Sequence, residues 1–245
     1  MWQRSCPRDW HNMVIRGERE LRGERRGKGG RSLLATAAPF FFVPLLFGAT
    51  VLEGQAVEVY VRGGLSGSTA LVRDAVATAQ VGELLGSEVD DEVRAVPRPG
   101  PVLGGGVRVE FWPRVALVAD AEWARNELEA EDGAGTRPVQ DLDVIQVQVG
   151  AQWAVRPAVE LGAGAGLQWY RTEETGLFAQ GSDTSPLVVV TAGWTPSIWD
   201  GRLAVIAAAQ THRFGTPVLR TAGGQDGMVT RFSLTGRLRL LEVNR

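Results

Sequence analysis

From residue 57 onward apolar and polar side chains alternate with a period of two. Successive side chains of a strand point to opposite faces, so this period predicts strands with one apolar and one polar face. The last segment is the clearest: Phe232, Leu234, Gly236, Leu238 and Leu240 oppose Arg231, Ser233, Thr235, Arg237 and Arg239. At the start, Val57, Val59 and Val61 oppose Glu58, Tyr60 and Arg62. Between them the pattern recurs around 103–112, 115–125, 143–155 and 158–170, for example Leu117, Ala119, Ala121 and Trp123 against Asp120 and Glu122. Segments 187–195 and 203–213 are apolar and β-branched but alternate poorly. Eight strands are predicted in all.

The links between them alternate in length. Pro113-Arg114, Arg156-Pro157 and Ser197–Gly201 are short; 66–101, 126–141, 171–185 and 214–227 are long. An up-and-down barrel with turns on one rim and loops on the other gives this alternation, and an even strand number puts both chain ends on the short-turn rim. Alternation alone leaves two barrels open. A soluble, lipocalin-like carrier would turn the apolar face inward around a ligand; a membrane barrel would turn it toward lipid.

Three observations favour the membrane barrel. The polar face carries charges of both signs, Glu58, Arg62, Arg108, Glu110, Asp120, Glu122, Glu160, Arg231, Arg237 and Arg239, which a closed lumen can pair and a lipid-facing wall cannot. The apolar face ends in large aromatics: Trp123 and Trp169 at the long-loop rim, Phe111, Trp153 and Trp194 at the other, as interfacial girdles do. No Lys follows residue 56, whereas a soluble barrel usually solvates its exterior with Lys.

In these features residues 57–241 resemble the eight-stranded outer-membrane barrels of the OmpA transmembrane-domain and opacity-protein type. The resemblance implies an all-β, antiparallel, up-and-down transmembrane barrel, exported through the periplasm. Its implied contacts are outer-membrane lipid and lipopolysaccharide, and the assembly machinery that reads the last strand. That strand departs from the pattern by ending in Leu240-Leu241-Glu242-Val243-Asn244-Arg245 rather than in an aromatic. The chain ends with the barrel, so no periplasmic peptidoglycan-binding module is expected after it.

Composition adds a compartment. Residues 1–56 hold nine basic and five acidic residues, leaving seventeen and twenty-three in the remainder, so a basic leader precedes a body of net charge −6. Leu33 to Leu52 are uncharged, and Gly54-Gln55-Ala56 offers a small-residue cleavage site, which together predict a secretory signal peptide over 1–56. The competing transmembrane anchor would have to accommodate Pro39 and Pro44. The basic region exceeds the usual ~15–30-residue total, leaving Met13 or a later residue as an alternative start. Cys6 precedes the apolar run, against a lipoprotein anchor. The acidic body argues against nucleic acid as a partner, and its lack of Cys removes disulfides and thiolate metal sites. No cofactor and no metal are expected.

Candidate chemistry is sparse. The interior of an eight-stranded barrel is filled by its own side chains, so the charged lumen reads as a structural network, with a narrow channel as the alternative. Arg237 and Arg239 face Glu58 and Tyr60 across the closure of the last strand on the first. Lipid A deacylases and palmitoyltransferases are barrels of this size that pair a His with a Ser or Asp near the rim; here His212 is the one His after the leader, without such a neighbour in sequence. Gly162-Ala163-Gly164-Ala165-Gly166 lies inside a strand pattern and is read as lumen space for long Arg side chains, Gly104-Gly105-Gly106 as a point of curvature or a bulge. In the first long link, Leu71, Ala75, Val76, Ala79, Leu84 and Leu85 suggest a short amphipathic helix, followed by the acids Glu88, Asp90, Asp91 and Glu92, read as a solvated cap, with bridging to lipopolysaccharide through divalent cations as the alternative. The function expected is structural or interactive: envelope stabilisation, or loops displayed to an extracellular ligand.

Overall fold

The computed structural model describes residues 56–72, 93–132, 135–173, 176–221 and 227–244. Nine strands occur among them: β1 (Ala56–Ser68), β2 (Arg94–Pro97), β3 (Gly100–Trp112), β4 (Val115–Asp132), β5 (Gly135–Arg156), β6 (Val159–Arg171), β7 (Ser185–Trp194), β8 (Leu203–Phe214) and β9 (Gly227–Asn244). All pairs are antiparallel, in the order β4-β3-β1-β9-β8-β7-β6-β5, and β4 pairs with β5 to close the ring. Eight strands thus form a barrel without an open edge, which satisfies every backbone group of the wall internally. The short β2 stands outside the ring, against the far end of β4 from Arg94↔Glu131 to Pro97↔Leu128.

Three short connections lie at one rim. Pro113-Arg114 turns β3 into β4 with Arg114 at φ 71°, a left-handed position that the fixed φ of Pro113 sets up. Pro157-Ala158 joins β5 to β6, and a 3₁₀ turn at Ile198–Gly201, with left-handed Asp200 and Gly201, precedes β8. The turns are tied to one another by backbone bonds, Ala154 N to Arg114 O at 2.8 Å and Thr195 N to Ala158 O at 2.9 Å.

Two register shifts explain why apolar residues follow one another at this rim. Opposite β1, β9 skips Leu240, so Leu240 and Leu241 both face out and Glu242 comes in beside Glu58. At the end of β3, Phe111 is bulged between Glu110 and Trp112, and both aromatics are exposed.

The long-loop rim differs from the sequence reading in two respects, the first being β2, a ninth strand inside the 66–101 link. Residues 126–141, expected to be a loop, are mostly strand: β4 and β5 continue as a hairpin well past the barrel. The helix read from Leu71, Ala75, Val76, Ala79, Leu84 and Leu85 falls on residues outside those described, except for Leu71, which sits in a bend after β1 and accepts no helical role: its N–H donates to Ala95 O at 2.7 Å. The acids Glu88–Glu92 and the leader 1–55 also lie outside the described residues. A one-turn helix α1 (Pro217–Thr221) follows β8, its Thr216 Oγ1 accepting the Leu219 N–H at 3.0 Å.

Candidate functional site

The interior of the barrel is layered. At the short-turn mouth, Glu58 Oε1 lies 3.4 Å from both Arg108 Nη1 and Arg239 Nη1, and Arg239 also reaches Glu242 at 2.6 Å. Beside them Arg237 binds Glu160 at 2.8 Å and lays its guanidinium 5.4 Å from the centre of the Tyr60 ring. Glu110 faces the same end from β3 and joins none of these pairs.

The middle layer is a continuous ladder of polar side chains. The Tyr60 hydroxyl donates to Asp120, which also accepts from Gln148 Nε2 at 3.1 Å. Arg62 sits 3.7 Å from Asp120 and 2.8 Å from Glu122; the other oxygen of Glu122 is 3.2 Å from Arg231. Arg231 donates to Ser66 Oγ at 2.8 Å and Gln146 Oε1 at 3.2 Å. Gln210 Nε2 then bridges Gln146 and Gln168, 2.8 Å from each carbonyl oxygen. With Gln168 Oε1 so engaged, its amide nitrogen faces His212 Nε2 at 3.0 Å, and the Tyr170 hydroxyl meets the same nitrogen at 2.6 Å. His212 Nε2 is therefore the acceptor and the ring proton sits on Nδ1. Two guanidiniums and two carboxylates balance, so the ladder adds no net charge to the buried interior, where an unpaired ion would be costly.

Gly104 and Gly106 make this layer possible. A Cβ on Gly106 would stand 2.7 Å from Asp120 Oδ1 and 2.8 Å from Tyr60 Oη, and one on Gly104 3.3 Å from Arg62 Nε. The three glycines at 104–106 carry no bulge, since the β3–β4 register runs through them unbroken; Gly104 and Gly106 vacate space for ions, whereas a Cβ on Gly105 would meet the backbone of Tyr60. In β6 the inward Gly162 and Gly166 crowd against Thr191, Gln152 and Gln148 rather than against Arg side chains.

Above the ladder the interior becomes apolar. Val102, Ala124, Leu142, Val144 and Val229 of the wall meet Leu71, Val72, Val93 and Ala95 from the first link, Leu177 and Phe178 from the third and Leu219 from the fourth. Phe214 packs edge-on against Tyr170, centroids 5.2 Å apart, and against Phe178 at 5.9 Å. Asn126 latches this cap, donating through Nδ2 to Arg98 O at 2.8 Å and Ser66 O at 3.2 Å. Outside the cap, Asp141 pairs with Arg125 and raises its already high pKa through their hydrogen bond and charge.

The exterior of the barrel is the reverse. Val149, Leu234 and Val188 are 60%, 59% and 58% exposed, and no charged side chain of β1, β3, β7 or β9 lies between them on that face among the described residues. Trp123, Ile145 and Trp169 form a row across β4, β5 and β6 at the loop rim; Trp112, Trp153 and Trp194 stand exposed at the turn rim with Phe111. A closed wall that is apolar outside, ringed by aromatics at two heights and charged within, fits hydrocarbon and does not fit water. The chain is a small β-barrel of the outer-membrane type. Lipid is the solvent of its wall.

No family model and no curated protein matches the barrel. Solved structures resemble it in fold. The outer membrane protein OprG from Pseudomonas aeruginosa is 11% identical, with TM-score 0.44, over 79% of this chain and 97% of that one. Ail from Yersinia pestis in a phospholipid nanodisc is 16% identical, with TM-score 0.41, over 75% and 99%. Neisserial surface protein A is 13% identical, with TM-score 0.40, over 77% and 98%.

The ten charged residues expected in the lumen all belong to strands of the ring, and the structure brings nine of them into three ion-pair groups, Glu58 with Arg108 and Arg239, Glu160 with Arg237, and Asp120 and Glu122 with Arg62 and Arg231, with Glu110 standing apart. The network expected from the sequence did not include the glutamines Gln146, Gln148, Gln168 and Gln210, which carry the ladder across β5, β6 and β8, and the expected aromatic ends did not include Trp112. In β5 the signal was present, since Gln146, Gln148 and Gln152 share the face opposite Ile145, Val147 and Val149. His212 is 2% exposed and faces the lumen from β8.

Proposed function

We propose that this barrel does not conduct and acts through its surface, stabilising the envelope and holding a rigid loop-side platform against lipopolysaccharide and an extracellular ligand. The observation that carries the reading is the double closure of the lumen, by the ladder from Tyr60 to Tyr170 and by the apolar cap above it. The hairpin of β4 and β5, widened by β2, gives the platform a sheet instead of a loose loop. The placement of His212, inside the wall and bound to Gln168 and Tyr170 rather than turned to lipid, supports a structural role for it.

Planar-bilayer recording on the purified, folded barrel tests the reading: no steady conductance steps are expected. Arg237→Gln is expected to lower the unfolding midpoint and still leave the bilayer silent. Steady, ion-selective steps from the unaltered protein would establish a channel instead. Hydrolysis or acyl transfer on a lipid A substrate, abolished by His212→Ala, would establish an enzyme.

A further inference from the structure

At the short-turn mouth, guanidiniums outnumber the carboxylates that hold them. A cavity of about 170 Å³ opens there, lined by Arg108, Arg156, Arg202, Arg237 and Arg239, with Glu58 and Glu160 the carboxylates of its lining among the described residues. Arg237 is held by the Glu160 carboxylate at 2.8 Å, with Gln152 Oε1 at 3.4 Å and the Tyr60 ring beside it. Arg108 and Arg239 must share one oxygen of Glu58, each at 3.4 Å, longer than the ~2.7–2.9 Å of a good charge-assisted bond. Glu242 takes a further N–H of Arg239 from the rim, and Glu110 does not line the cavity. Arg156 and Arg202 have no ion pair or side-chain hydrogen bond among the described residues.

A guanidinium offers five donors and binds oxyanions in pairs of parallel bonds. Arg239 is engaged at both terminal nitrogens, Nη1 by Glu58 and Glu242 and Nη2 by the Asp200 carbonyl at 3.4 Å, so the under-used donors come from three separate elements around one cavity: β3, the end of β5 and the turn before β8. That arrangement suits an acceptor with oxygens pointing in several directions. A single water needs only about 10–15 Å³ of such space, so the cavity has room for a hydrated polyatomic anion. Its inner end is closed by Tyr60 and the ladder, so an anion entering there would be held rather than passed on.

We propose that the short-turn mouth binds a tetrahedral, multivalent oxyanion of the phosphate class, gripped by Arg108, Arg156 and Arg202. The site goes beyond the surface role proposed above and does not depend on it.

Titration calorimetry of the folded full chain in detergent with inorganic pyrophosphate, at fixed ionic strength, tests it. One saturable site per barrel is expected. Arg156→Gln with Arg202→Gln should weaken it at least about tenfold, since each lost charge-assisted bond contributes on that scale. Glu58→Gln should tighten it, because the anion then replaces the carboxylate shared by Arg108 and Arg239. Arg98→Gln, at the opposite end, should leave it unchanged, and heat-modified gel mobility checks that each variant is folded. Absence of saturable binding, undiminished binding in the double variant, weaker binding in Glu58→Gln, or an equal loss in Arg98→Gln would each overturn the proposal. Citrate binding as tightly as pyrophosphate would overturn the assignment to the phosphate class.

Discussion

Strand β4 is two different strands joined at Trp123. Below it, Leu117, Ala119 and Ala121 face outward while Asp120 and Glu122 face inward; above it, Glu127, Glu129 and Glu131 belong to the outward set while Asn126, Leu128 and Ala130 face inward. The parity of the strand never changes, but its polarity inverts. β5 does the same between Val144 and Ile145, with Leu142 and Val144 buried above and Gln146 and Gln148 buried below. The wall keeps one geometry and exchanges its solvent, hydrocarbon below and water above. The lumen answers in kind, polar where the outside is lipid and apolar where the outside is water.

If this contrast is right, the two layers should fail differently. The largest effect is expected from Glu122→Leu, which leaves Arg62 and Arg231 buried without their shared carboxylate; breaking such a pair costs about 3–5 kcal/mol, to be read as a lower urea midpoint of the whole barrel. Phe178→Ala should remove about 3 kcal/mol or more of packing, but from the cap, so limited proteolysis of the loop side should accelerate while the barrel's midpoint moves little. Equal shifts of both readouts would show the two layers to be one cooperative unit. Gln168→Leu takes one partner each from the Gln210 amide, which keeps Gln146, and from His212, which keeps Tyr170, for an expected loss of about 1–3 kcal/mol by the same urea titration. The smallest change is Thr216→Ala, which uncaps α1 at a cost of about 1 kcal/mol, visible as faster amide exchange confined to Leu219 and its neighbours.

The membrane half was legible because lipid and lumen impose opposite demands on neighbouring residues. Phe232 through Leu240 alternate without a break, and the strand, its parity and its Arg residues follow from that alone. β7 read poorly because its inner face is apolar too: Leu187 and Val189 are as buried as Val188 and Val190 are exposed, so the contrast that marks a strand is missing. The hairpin beyond Trp123 was read as a loop although Glu127, Leu128, Glu129, Ala130 and Glu131 do alternate. The polar residues there fall on the outward face instead of the inward one, and that inversion of polarity hid the continuity. The cap was not legible at all, since it gathers Leu71, Phe178 and Leu219 from three separate links, a grouping that only the closed ring imposes.

The inversion point also sets a length. From Val115 to the Trp123 level β4 spends nine residues in hydrocarbon, which at about 3.3 Å each and a tilt near 45° amounts to about 21 Å. An apolar band of outer-membrane barrels is typically ~25 Å tall. The chain therefore carries its own gauge of bilayer thickness, cut slightly short. It is matched to a thin leaflet pair and would have to pinch a thicker one, so its folding into vesicles should slow as acyl chains lengthen.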